Sequence, residues 1–93
     1  MNPGGLRIAA AAIRGPDGTI YSLPAPKRHH DIIHFYGLGS TRHDDQGFVL
    51  NDGRYVQRAP ALAVARRAGQ LLPNGRRLQE NPTSRELYSE DVW

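Results

Sequence analysis

Phe48-Val49-Leu50-Asn51-Asp52-Gly53-Arg54-Tyr55-Val56 is the stretch that decides the fold. Two β-favouring runs flank an Asp-Gly turn, and a glycine there accepts the positive φ that tight hairpin turns require. With Asp52 and Gly53 as the loop residues, Leu50 faces Tyr55 and Val49 faces Val56. A return strand over residues 54–58 then carries Arg54, Val56 and Arg58 on one side. Pro60 opens a helix that runs through Ala68 and is closed by Gly69. Ala61, Leu62, Val64, Ala65 and Ala68 give this helix a broad face of small residues, suited to close approach to a sheet. Arg66 and Arg67 lie outside that face, where the helix dipole favours cations.

The same grammar occurs upstream. Residues 6–13 are short and apolar, Arg14-Gly15-Pro16-Asp17-Gly18 forms a turn, and Thr19-Ile20-Tyr21-Ser22-Leu23 reads as a strand. Alanine favours helix over strand, which leaves a helical first segment open, but the turn followed directly by Thr-Ile-Tyr favours pairing. Pro26 is placed to open a helix that ends at Tyr36 before Gly37. His29, Ile32, Ile33 and Tyr36 share one face of it, and Lys27, His30, Asp31 and His34 the other. Asp-Gly, Pro and Gly recur at offsets of 35, 34 and 32 residues, which fits either an internal repeat or one common unit used twice. Both imply an α+β fold: two hairpin-helix (ββα) units, over residues 6–37 and 46–69, forming a four-stranded, mainly antiparallel sheet with two helices on one face.

The 93 residues make one domain, 1–93, which at this size buries only about 60–65% of its unfolded surface. With 39% hydrophobic and 23% charged residues, the composition is that of an ordinary globular chain. No run approaches the roughly 20 apolar residues of a membrane span, and the alanine run before Arg14 is short for a signal-peptide core, so a cytoplasmic location is expected. The sequence has no Cys, which excludes disulfides and thiolate metal sites.

Charge is unevenly distributed. No acidic residue lies between Asp52 and Glu80, an interval holding Arg54, Arg58, Arg66, Arg67, Arg76 and Arg77, whereas Glu80, Glu86, Glu90 and Asp91 dominate the tail over residues 71–93. Such a division fits an anionic partner for the body, a tail that docks on arginines of its own or a neighbouring subunit, or simply solvated charge. The tail also carries Leu87, Tyr88, Val92 and Trp93, large apolar groups that suit a docking segment.

Three constellations bear on chemistry. Lys27-Arg28-His29-His30 begins a helix, where free backbone N–H groups and the dipole favour an anion; Arg54 and Arg58 occupy the matching place in the second unit. The alternative is that Arg28 and Arg58 form surface pairs with Asp31, Asp44 or the tail. His30-Asp31-Ile32-Ile33-His34 has the spacing of the zinc-peptidase H-E-x-x-H helix, with the shorter Asp in place of Glu; no third ligand follows at a recognised spacing, and His43, Asp44 and Asp45 in the next loop are the candidates to supply one for a Zn or Mn site. The alternative is a polar helix face that contains histidines. The acid-free stretch interleaved with Phe48 and Tyr55 suits phosphate contacts and base stacking, so a nucleic-acid partner stays open, although no helix-turn-helix, zinc-finger or RNP motif is present. The sequence has no Cys nucleophile, no G-x-S-x-G elbow and no glycine-rich phosphate loop bearing a Lys.

Arg28-His29 with Asp31, Gln46-Gly47-Phe48, Gly53-Arg54-Tyr55-Val56 with Arg58, Ala68-Gly69-Gln70 and Leu87-Tyr88-Ser89-Glu90-Asp91-Val92-Trp93 together resemble a group of small proteins encoded by tailed bacteriophages and prophages. The resemblance covers most of the chain from Thr19 onward and brings no catalytic role with it. It implies a phage accessory protein acting on host defence or host machinery. The resulting expectation is a non-enzymatic protein, without a cofactor, that binds an anionic, nucleotide-type ligand in the host cytoplasm and so counteracts defence. Arg28, His29, His30, Gln46, Arg54, Tyr55, Arg58 and Trp93 are the ligand-binding candidates, with Tyr55 stacking on a base and Trp93 closing the site from the tail or from another subunit of a homo-oligomer. An inhibitor covering a host protein or nucleic-acid surface, and a small metal-dependent hydrolase centred on His30 and His34, are the alternatives.

Overall fold

A computed structural model describes residues 5–93. Strands β1 (Ile8–Arg14), β2 (Ile20–Pro24), β3 (Gln46–Leu50) and β4 (Tyr55–Val56) form one sheet in the order β2-β1-β3-β4, and every pairing is antiparallel. Helices α1 (His29–Tyr36) and α2 (Arg58–Arg67) follow the two hairpins. Ile32 of α1 and Ala61, Leu62 and Ala65 of α2 join Ile8, Ala11, Ile13, Phe48 and Leu50 in a single buried cluster, so both helices cover the same sheet face. The expected α+β architecture is the one observed.

The two hairpins match in detail. Ile13 pairs with Tyr21 and Arg14 with Ile20; 35 residues on, Phe48 pairs with Val56 and Val49 with Tyr55. In each turn the glycine N–H donates to the carbonyl three residues back (Gly18 to Gly15, Gly53 to Leu50), and a wider bond closes the loop from Gly15 N–H to Thr19 and from Leu50 N–H to Arg54. Gly18 and Gly53 have φ of 87° and 90°, a left-handed conformation that glycine adopts without steric cost. Asp17 and Asp52 each accept from the backbone N–H two residues on. Both helices end alike, with Gly37 and Gly69 at φ 66° and 70°.

Three expectations of detail are corrected. The second loop has three residues, not two, so Val49 rather than Leu50 faces Tyr55, a type I turn with a glycine bulge replacing the tighter turn. Arg58 is the first residue of α2 and not the end of a strand. Pro60 therefore sits inside the first helical turn, where its missing N–H leaves no bond unmade. Pro26 precedes α1 and lies in the turn that connects it to β2, with Arg28 as the residue capping the helix.

A third helix, α3 (Arg76–Glu80), and a 3-10 turn over Ser89–Asp91 organise the tail, which the sequence pattern does not show. Leu87 and Val92 are buried in the main core. β1 carries a bulge between Ile8 and Ala10. There the Gln70 carboxamide takes the place of a strand neighbour, accepting from Ile8 N–H at 2.6 Å and donating to Ile8 C=O at 2.9 Å. No helix among the described residues is long and apolar enough to cross a membrane.

Candidate functional site

The arginine-rich body and the acidic tail meet inside the molecule. Arg58, only 5% exposed, donates to Leu87 C=O at 2.9 Å and to the Gln46 carboxamide oxygen at 2.7 Å, and Leu87 N–H returns a bond to Arg58 C=O. Arg77 donates from Nε and Nη2 to the Asp91 carboxylate, which is 1% exposed, and to Glu86 C=O. Both guanidinium groups stack on the Tyr88 ring, their central carbons 4.2 and 4.1 Å from its centroid, a cation–π arrangement that is strongest when desolvated. Burial pulls the Arg58 pKa below its ordinary value, while the bonds to Asp91 raise that of Arg77. Arg58 Nε has no hydrogen-bond partner among the described residues. Of the readings open for the tail, docking on the chain's own arginines is the one observed.

The first helix start is also occupied from within. Arg28 donates through Nε at 2.9 Å, and through Nη2, to the Trp93 main-chain oxygen, and the Trp93 indole N–H donates to Lys27 C=O at 2.8 Å. Asp31 accepts from Arg28 N–H at 2.8 Å, a bond that holds its carboxyl below the ordinary carboxylate range. His29 is 7% exposed, lies edge-on to Phe48, and donates from Nε2 to Gly47 C=O at 2.7 Å. Burial lowers its pKa to about 4, so the ring is neutral at physiological pH.

Tyr55 lies on the sheet face opposite the core, against Gly47 and with the Arg14 guanidinium 5.5 Å from its ring centre. Burial raises its pKa, and its hydroxyl has no partner among the described residues. Arg54 sits at the second hairpin turn, paired with Asp52 at 2.7 Å and well exposed. The candidate binding residues therefore fall into separate places. Gln46 and Arg58 touch each other and Arg28 touches Trp93, whereas Arg54 stands apart at the turn.

His30 leads to an open site. With Lys27, Asp31 and His34 it lines a cleft of about 640 Å³ whose apolar walls are Leu23 and Phe35, within the roughly 300–1,000 Å³ usual for small-molecule sites. The i, i+4 spacing of His30 and His34 puts both imidazoles on the outer face of α1, and the Trp93 indole fixes the Lys27 backbone beside them. Phe35 is 68% exposed. It had no place in the sequence reading, although an aromatic residue outside the apolar stripe of a helix was a signal available there. His43, a candidate third ligand for the metal alternative, pairs with Glu86 at 3.0 Å. Among the described residues no group of three His, Asp or Glu side chains is placed to hold a metal ion.

Comparison with known proteins supplies context. No curated protein and no solved structure matches the chain. The family model described as phage T4 y16D protein matches residues 7–93, a span that takes in both hairpin-helix units and the docked tail. By that match, the chain belongs to the phage T4 y16D protein family.

Proposed function

We propose that this phage accessory protein binds an anionic, nucleotide-type ligand in the α1 cleft, and that by holding it unmodified it counteracts host defence. The observation that carries this reading is the juxtaposition of Lys27, His30 and His34 with the exposed Phe35 in one cleft. Lys27 and His34 offer donors to phosphate oxygens, His30 is turned to the Asp31 carboxylate at 3.4 Å, which can take a ribose hydroxyl, and the open aromatic face offers a base a stacking surface. Arg28 and Trp93, first considered as direct contacts, act here as positioning residues because they fix the helix start and the Lys27 backbone.

Calorimetric titration with mono-, di- and cyclic nucleotides and ADP-ribose derivatives tests the proposal. Saturable one-to-one binding, with the ligand recovered intact, is the expected result. Silence across the whole panel would remove the reading. A second reading has its own observation: Phe35 and Tyr36 form an exposed aromatic pair with centroids 4.9 Å apart, an anchor of the kind that seats on a host protein. The variant Lys27→Glu separates the two, since it is expected to weaken nucleotide binding about tenfold or more and leaves an apolar anchor in place.

A further inference from the structure

A second cleft, of about 580 Å³, lies between the first hairpin turn and the loop over residues 37–42. It is at the end of the β1–β2 hairpin away from Leu23 and the α1 cleft. Arg14 and Arg42 line it together with the hydroxyl-bearing Ser40 and Thr41. Arg14 is held in place by Nε and Nη2 bonds of 3.1 and 3.0 Å, both to Oδ1 of Asp45, and its Nη1 makes no hydrogen bond among the described residues. Arg42 is exposed and has no ion pair among the described residues. Thr41 Oγ1 accepts from the Gln46 carboxamide at 2.6 Å, which leaves its own proton to donate. Two guanidinium groups and two hydroxyls facing one space form a donor set for a phosphate group.

We propose that this cleft is a separate binding site for a sugar phosphate. The space is much larger than a bare phosphate ion fills, and Ile13, Pro16 and Leu38 give it an apolar floor suited to the C–H face of a sugar ring. Oδ2 of Asp45 accepts no hydrogen bond from the described residues, so it is available to a sugar hydroxyl. Among the described residues no aromatic ring lines the cleft, in contrast to the stacking surface that Phe35 gives the α1 cleft. Its recognition therefore falls on the phosphorylated sugar and not on a base.

Amide-resolved NMR titration of the full chain with ribose 5-phosphate, glucose 6-phosphate, AMP, ribose and inorganic phosphate tests this. A sugar phosphate is expected to saturate, shifting the amides of residues 40–42 and of Gly15 and Gly18, while ribose alone does not. Arg42→Glu is expected to weaken that binding by at least about tenfold, the scale of one lost charge-assisted hydrogen bond, with an unchanged melting temperature because its side chain is exposed. Ser40→Ala is expected to weaken it less. The same Arg42→Glu variant should leave any nucleotide titration of the α1 cleft unaltered. Binding of inorganic phosphate as tight as that of the sugar phosphates, no saturation by any sugar phosphate at millimolar concentration, or shifts confined to residues 27–35 would each overturn the proposal. The last of these would still leave the α1 site standing.

Discussion

The cluster around Tyr88 and the cleft on α1 both hold cationic side chains, yet those charges have opposite fates. Arg58 and Arg77 are enclosed, bonded to Leu87, Gln46, Glu86 and Asp91, and stacked on one ring. Lys27, His30 and His34 line an open cleft and face solvent. A count of cations along the chain cannot separate Arg58 and Arg77 from Lys27, because what differs is whether the side chain has found an acceptor elsewhere in the fold. The comparison also divides the sequence motifs. Arg28-His29, Gln46 and the terminal heptapeptide largely hold the fold together, whereas Lys27 and Phe35 line the open cleft.

The largest expected effect comes from breaking the enclosed cluster. Arg77→Ala leaves the Asp91 carboxylate buried without its partner, and a loss of about 3–5 kcal/mol is expected in urea denaturation. Replacing both members by apolar residues of similar volume, Arg77→Met with Asp91→Leu, should recover much of it; a double variant as unstable as the single one would mean that the pair itself supplies the stability.

Next in size is a pH effect. His29 has its folded pKa lowered to about 4 from 6.5, so between those values the unfolded chain binds a proton that the folded chain does not. Stability should fall as pH drops through that window, by roughly 3 kcal/mol in all, and change little from this source above about pH 6.5. His29→Gln, which keeps a donor for Gly47 C=O, should flatten the profile when melting is followed from pH 7 to pH 4.

A smaller loss, roughly 1–3 kcal/mol, is expected from Gly47→Ala. A Cβ there would collide with Val56 C=O and stand 2.7 Å from the Tyr55 hydroxyl, so β4 must move; chemical denaturation measures the cost. At the open cleft, Lys27→Glu and Phe35→Ser should change stability by no more than about 0.5 kcal/mol while weakening nucleotide binding about tenfold or more. A large drop in stability from either would place these residues with the enclosed class.

Much of the architecture could be read from local chemistry. Gly18, Gly37, Gly53 and Gly69 each mark a place where the chain needs a positive φ, and together they bound both hairpins and both helices. The loop length could not be read, since Asp-Gly serves a two-residue turn and a three-residue turn with a bulge equally well. Arg58 was misplaced because its alternation with Arg54 and Val56 suits a strand, while Pro60 is compatible with a helix already under way. The site was harder still. Arg58 meets Leu87 across 29 residues and Arg28 meets Trp93 across 65, and no local periodicity encodes pairings at that separation. The α1 cleft was half legible, through the i, i+4 histidines, but its Phe35 wall was not.

The Gln70 carboxamide at the β1 bulge has a consequence for biosynthesis. It fixes Ile8 from 62 residues downstream, and β1 is otherwise an alanine-rich strand in which a one-residue slip exchanges its faces. At about 5–20 residues per second, a nascent β1 waits roughly 3–12 s for the residue that sets its register. During that interval the β1–β2 hairpin can already form, but the Ile8 end of the strand lacks the carboxamide that holds its bulge.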